Sequence, residues 1–134
     1  MHIQKNQTFF RESVAEQTRT ILIVEDDVAV GHFLVAAITQ ETPHYAYVVT
    51  NGSQALQACA TDTIDLVILD YSLPHMNGIE FYDALHALQG ANSPPVMMVS
   101  ARLPIGELTK RNLPSLRKPL ELQTFLDAIE RMLQ

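Results

Sequence analysis

From Thr20 onward, hydrophobic and polar positions alternate between two kinds of segment. Short, almost wholly apolar runs at 21–24, 66–69 and 96–99 fit strands buried on both faces, as in a parallel sheet sandwiched by helices. Residues 45–49, rich in aromatic and β-branched side chains, predict a fourth strand, and Leu116-Arg117 a last short one. Helix-length stretches lie between them. Residues 28–40 carry Val30, Phe33, Leu34, Ala37 and Ile38 at helical spacing, and residues 53–60 follow the turn signal Asn51-Gly52. Residues 78–89 place Ile79, Tyr82, Leu85 and Leu88 on one side. Residues 120–132 set Leu122, Phe125, Leu126, Ile129 and Met132 on an inner face. This alternation predicts a right-handed, doubly wound α/β domain, whose chemistry collects at the carboxyl ends of the strands.

The first 19 residues read as an extension to a domain spanning 20–134. Gln4, Asn6, Gln7, Thr8, Ser13, Gln17 and Thr18 give it a solvated character, while Phe9, Phe10 and Val14 form at most one small apolar face of a short helix. Its frayed form is the plainer expectation, and a partner-binding or dimerising helix the sharper one. Composition narrows the classes further. Hydrophobic residues make up 47% of 134 and charged residues 18%, the balance of one folded domain. A net charge of −6 with no basic stripe argues against direct nucleic acid binding. The single Cys59 has no partner for an intramolecular disulfide, which fits a reducing compartment. With no apolar run near the roughly 20 residues that span a bilayer and no apolar leader, the expectation is a cytoplasmic protein without membrane insertion.

Chemistry-bearing residues stand where the predicted strands end. The first strand runs into Glu25-Asp26-Asp27, the third into Asp70, the fourth into Ser100-Ala101, and the last into Lys118-Pro119. Parallel strands bring Glu25, Asp26, Asp70, Ser100 and Lys118 to one edge. Clustered carboxylates repel one another unless a cation sits among them or some are protonated. Hard oxygen ligands with room for water suit Mg²⁺. Asp70 has the chemistry of an oxygen nucleophile towards phosphorus, with Lys118 and the Ser100 hydroxyl placed to stabilise the phosphoryl oxygens. Each residue also has an ordinary structural use. An acid after a strand commonly caps the next helix, as Asp26 or Asp27 could for the helix starting near Val28. Their joint placement, one group per strand end with complementary charge, carries the functional reading.

The stretch Ile21-Leu22-Ile23-Val24-Glu25-Asp26-Asp27 resembles the opening of receiver domains of two-component response regulators. Residues 66–78, with Asp70 followed by Leu73-Pro74-His75-Met76-Asn77-Gly78, resemble the phosphoacceptor strand and its loop. The intervals from Asp26 to Asp70 and from Asp70 to Ser100 are similar to the family's register, and Lys118-Pro119 resembles the pair that closes the site. The resemblance implies a flavodoxin-like five-stranded parallel sheet in order 2-1-3-4-5, flanked by five helices. It implies a bacterial phosphorelay protein whose Asp70 takes a phosphoryl group from a sensor histidine kinase or phosphotransfer protein and signals to a downstream protein target. Such a protein assists its own Mg²⁺-dependent phosphoryl transfer but is not a conventional enzyme. Asp26, Asp70 and the Ser72 carbonyl would bind Mg²⁺, with Glu25 mainly through water. Lys118 would contact the phosphoryl group, Ser100 would swing towards it, and the Lys118–Pro119 peptide would be cis.

Two departures from the family stand out. The interval from Ser100 to Lys118 is shorter than usual by about one helical turn, and its Pro104, Gly106 and Pro114 predict a short or irregular fourth helix. Three residues before the lysine, where the family carries an aromatic switch residue, stands Ser115. The phosphorylation chemistry is therefore expected intact and the usual output coupling is not. A stand-alone receiver is the leading expectation, although a piece of a larger regulator or hybrid kinase would read the same. A vestigial receiver acting as a constitutive binding module is the alternative. An aspartate-nucleophile phosphatase of the haloacid dehalogenase type needs a second acid two residues after the nucleophile, where Ser72 stands.

Overall fold

A computed structural model describes residues 18–134, so the expectations for residues 1–17 lie outside the described residues. Five parallel strands, β1 (Thr20–Val24), β2 (Tyr45–Val49), β3 (Leu66–Leu69), β4 (Val96–Ser100) and β5 (Ser115–Arg117), form one sheet in the order β2-β1-β3-β4-β5. Five helices connect and follow them: α1 (Val28–Glu41), α2 (Gly52–Thr61), α3 (Gly78–Gln89), α4 (Ile105–Lys110) and α5 (Leu122–Leu133). The expected sheet order and doubly wound architecture are what the structure has. Among the described residues, no helix is long and apolar enough to cross a membrane.

The three central strands are apolar over 21–24, 66–69 and 96–99 because the sheet is covered on both faces, and alternation sends successive side chains to opposite cores. Ile21, Ile23, Ile68, Met97 and Val99 face one side, where Leu34 and Ile38 of α1 and Phe125 and Ile129 of α5 close over them. Leu22, Val24, Val67, Leu69 and Met98 face the other, packed by Ala55 and Cys59 of α2, Phe81 and Leu85 of α3, and Leu108 of α4. Burial pushes the Cys59 thiol up to about 11, so at neutral pH it is a packing group and not a nucleophile.

Helix starts are set by side-chain caps, and these move some boundaries from their sequence-based positions. Asn51 was expected in a turn; its side chain instead accepts a hydrogen bond from the Gln54 amide, so Gly52 is already helical. Glu121 accepts from the amides of Gln123 and Thr124, which starts α5 at Leu122 and not at Leu120. Asn77 and Glu80 form a reciprocal capping box that fixes the start of α3 directly after the loop from Asp70.

The fourth helix is six residues long, as its prolines predict. Its N-cap position, Pro104, supplies no side-chain cap, and it ends before Asn112, whose φ of 53° lies in the left-handed region. A helix this short is not stable on its own. Buried Leu108 anchors it to the core, and Arg111 ties it to α3 through a two-pronged pairing with Asp83, 2.8 Å at each prong, while also meeting Glu107 at 2.7 Å.

Two outcomes follow from this construction. Backbone amide exchange should be faster across 104–114 than in α1 or α5, because few buried apolar contacts hold that segment; equal protection would contradict it. The hydrogen bonds from Arg111 hold the Asp83 and Glu107 carboxyls below their ordinary range. Their contribution to stability is therefore complete above the unfolded carboxylate pKa of about 4, and is lost as pH falls through the lower folded values. In Arg111→Ala, thermal stability should depend less steeply on pH in that acidic window, as a melting series would read.

Candidate functional site

The sheet ladder itself builds the site. Val24 lies opposite Leu69, so the next residues out, Glu25 and Asp70, emerge side by side at the carboxyl edge of the two central strands. The ladder runs one step past each strand to hold them there. The Asp70 amide donates to the Val24 carbonyl at 3.0 Å, the Glu25 amide to Val49, and the Lys118 amide to Ser100. Glu25, Asp70 and Lys118 thus have backbones held by the sheet ladder.

Around Asp70 the side chains converge. The Ser100 hydroxyl donates to its Oδ1 at 2.8 Å, and the Ser72 amide donates to the same oxygen at 3.1 Å. Lys118 Nζ lies 3.3 Å from Oδ2 and pairs closely with Glu25 Oε1. The Asp27 amide donates to the other Glu25 oxygen at 3.2 Å. Carboxylate oxygens of Glu25, Asp26 and Asp70 lie within 4.8 Å of one another. Glu25 and Asp70 are buried and Asp26 is exposed.

Electrostatics follow from that geometry. Burial raises the Glu25 carboxyl above its ordinary value, with the Lys118 and Asp27 hydrogen bonds acting against the shift. For Lys118 burial acts to lower the pKa, but the Glu25 hydrogen bond and the Asp70 charge outweigh it and hold the ammonium above its usual range. Lys118 is therefore a fixed positive charge at neutral pH. Three hard carboxylates so close, one of them open to solvent, fit a divalent oxygen-preferring cation with part of its water shell retained.

The structure brings together every residue expected at the strand ends. Glu25, Asp26, Asp70, Ser100 and Lys118 share one edge, and Ser72 meets Asp70 through its amide. The Lys118–Pro119 peptide is cis, as expected. Of the two acids that could cap α1, Asp27 does so, accepting from the Val30 amide at 3.1 Å, which leaves Asp26 to the cluster. The Asp27 amide on Glu25 was not singled out from the sequence, because it is a backbone group and leaves no side-chain signature. Gly78 stood in the family-like loop, but its steric role did not show there: a Cβ at Gly78 would lie 2.9 Å from the Asp70 carbonyl oxygen and 3.0 Å from Tyr71 Cα. Only glycine lets α3 start against the phosphoacceptor-like strand end, and the Asn77-Gly78 pair after an apolar strand was its available signal.

Comparison with known proteins gives a consistent result. The family model for the response regulator receiver domain matches residues 21–130. The transcriptional activator protein IrlR of Burkholderia pseudomallei is 37% identical over 90 residues, 67% of this chain and 38% of its own length. The DNA-binding response regulator MtrA of Mycolicibacterium smegmatis is 39% identical over 82 residues, 61% of this chain and 34% of its own. The chain thus matches little more than a third of the length of these relatives. Among solved structures, a chemotaxis response regulator of Vibrio cholerae superposes with a TM-score of 0.77 at 21% identity, covering 86% of this chain and 98% of that one. A CheY-like receiver domain protein from Methanospirillum hungatei gives 0.78 at 21% identity, with 87% and 94% covered. With the sheet order and the strand-end cluster already in place, the match across residues 21–130 establishes that this chain belongs to the response regulator receiver domain family.

Proposed function

We propose that this protein is a phosphoacceptor receiver of a two-component phosphorelay, with Asp70 as the acceptor. One observation carries the reading: a buried carboxylate at a strand end, met by an ammonium, a hydroxyl and a backbone amide, beside two further carboxylates. The donor in this reading is a phosphohistidine of a sensor kinase or phosphotransfer protein. An Asp70 oxygen attacks phosphorus, the phosphorus–oxygen bond of an acyl phosphate forms, and the phosphorus–nitrogen bond breaks with its electron pair leaving on the donor imidazole. Lys118 offsets the charge of the incoming phosphoryl oxygens from a position already 3.3 Å from the acceptor. Ser100 releases Asp70 Oδ1 and donates to a phosphoryl oxygen instead. Asp26, Asp70 and the Ser72 carbonyl would hold Mg²⁺, with Glu25 reaching it mainly through water. The ion, when bound, supplies charge neutralisation on the transferring group. The protein so read is not a conventional enzyme. It works in a bacterial cytoplasm, receives from one protein and signals to another, without binding nucleic acid through this domain.

Ser115 favours a second reading. It is half-buried on β5 opposite Met98, where a ring-sized residue would ordinarily couple phosphorylation to the distal surface. A receiver with an idle site would then act as a constitutive binding module. Phosphorylation separates the two readings.

Acetyl phosphate with Mg²⁺ should add one phosphoryl group, detected by intact-mass spectrometry, and the group should be absent in Asp70→Asn and after chelation of the metal. An unmodified wild-type protein would leave the idle-site reading standing, and modification of Asp70→Asn would displace the acceptor assignment. Mg²⁺ affinity should fall about tenfold or more in Asp26→Ala, since one of three carboxylates in the cluster is lost. Titration followed by amide chemical shifts measures this, and unchanged affinity would remove Asp26 from the metal site.

A further inference from the structure

Between Asp70 and α3 the chain makes a tight loop. The Leu73 amide donates to the Tyr71 carbonyl at 3.1 Å, and the Met76 amide to the Pro74 carbonyl at 2.7 Å. Each bond closes a three-residue turn, one centred on Ser72 and the other on His75. The turn at His75 is of the rare form. Its φ of 67° lies in the left-handed region, which residues with a Cβ enter at a cost. Glycine occupies that region freely and asparagine with little penalty. The His75 side chain is exposed and, among the described residues, has no hydrogen-bond or ion-pair partner, so no polar contact of the imidazole accounts for the backbone.

The turn matters for where it sends the chain. Met76 comes back over the first turn of α2, so close to Gly52 that a Cβ there would lie 2.8 Å from the Met76 sulfur. Two residues on, the Gly78 amide donates at 2.8 Å to the Tyr71 carbonyl, the same oxygen that already accepts from Leu73. The loop is thereby closed on itself at Tyr71. The Ser72 amide is held on Asp70 Oδ1 at 3.1 Å, while the carbonyl of exposed Ser72 accepts no hydrogen bond among the described residues.

We propose that His75 is a positioning residue for the cation site: its left-handed turn fixes the loop with the Ser72 carbonyl unpaired and in place to coordinate. The inference rests on the reading of Asp26, Asp70 and the Ser72 carbonyl as the Mg²⁺ site. The backbone of His75 does this work, and its imidazole does not. Mg²⁺ demands near-ideal ligand geometry, so a carbonyl that is set in only a fraction of the molecules lowers the affinity by that fraction. Where residue 75 resists a positive φ, the loop relaxes in the metal-free protein and binding has to restore it. The effect falls on affinity and not on the fold, because His75 belongs to neither core.

Mg²⁺ titrations of the full chain, followed by amide chemical shifts, compare the parent with His75→Gly, His75→Asn, His75→Ala and His75→Val, with melting temperature as the control for folding. The Gly and Asn variants should bind within about twofold of the parent. Ala should bind more weakly, and Val more weakly still, by about fivefold or more. In the metal-free Ala and Val spectra the amides of Ser72, Leu73 and Met76 should already be displaced, a readout that needs no bound ion. Should Val also lower the melting temperature, the comparison of Ala with Gly, one methyl apart, decides the matter. Equal affinity across the series overturns the proposal, and so do Gly and Asn variants as weak as Ala, which would make the imidazole the acting group. A parent that binds no Mg²⁺ removes the site reading and this proposal together. Parent binding that is lost in Asp26→Ala but indifferent to residue 75 overturns this proposal alone.

Discussion

Carboxylate oxygens of Glu25, Asp26 and Asp70 stand within 4.8 Å of one another, and three like charges at that spacing call for compensating positive charge. In the protein itself that charge is the Lys118 ammonium, paired with both buried members of the cluster. Everything else about the architecture serves this placement. The acids come from the two strands at the centre of the sheet, and the lysine comes from the far end of the chain, beyond β5. Only a parallel arrangement puts all these carboxyl ends on one edge, and only an order with β1 beside β3 makes Glu25 and Asp70 neighbours.

The cluster is not evenly exposed, and the inequality is chemically useful. Glu25 and Asp70 are buried, and each has a donor for its oxygens: the Asp27 amide for one, the Ser100 hydroxyl and Ser72 amide for the other. Buried carboxylates left without such donors would cost several kcal/mol. Asp26 stays in solvent and is the open side of the cluster. Ser100 joins two environments, since its hydroxyl donates to Asp70 while accepting from the Arg102 amide. One oxygen atom thus links Asp70 to the turn after β4.

Beyond that turn the fold is built differently from its surroundings. Helix α4 is too short to hold itself and depends on Leu108 in the core and Arg111 on α3. Ser115 has no ring to carry a displacement along β5. In the proposed switch, change is thus confined near the loop after Asp70 and the turn after β4. A two-state element needs contacts that differ between its states, and in this protein those contacts lie close to the site.

Strands and site were legible in the sequence for a local reason. A strand buried on both faces must be apolar along its whole length, so 21–24, 66–69 and 96–99 announced themselves, and the first polar residue after each run was the candidate. Pro104 and Pro114 likewise limited α4 through backbone sterics that need no tertiary context. What the sequence left open depended on partners distant in the chain or on the path of the backbone. Whether Asp26 or Asp27 caps α1 is settled by how the chain turns off β1, and Asn51 is a cap because α2 begins at once behind it. The Arg111–Asp83 pairing and the close approach that requires Gly78 each join segments that only the packed sheet and helices bring together. Local composition determines which residues are buried and where elements start and stop; contact between residues far apart in the chain is a property of the assembled fold.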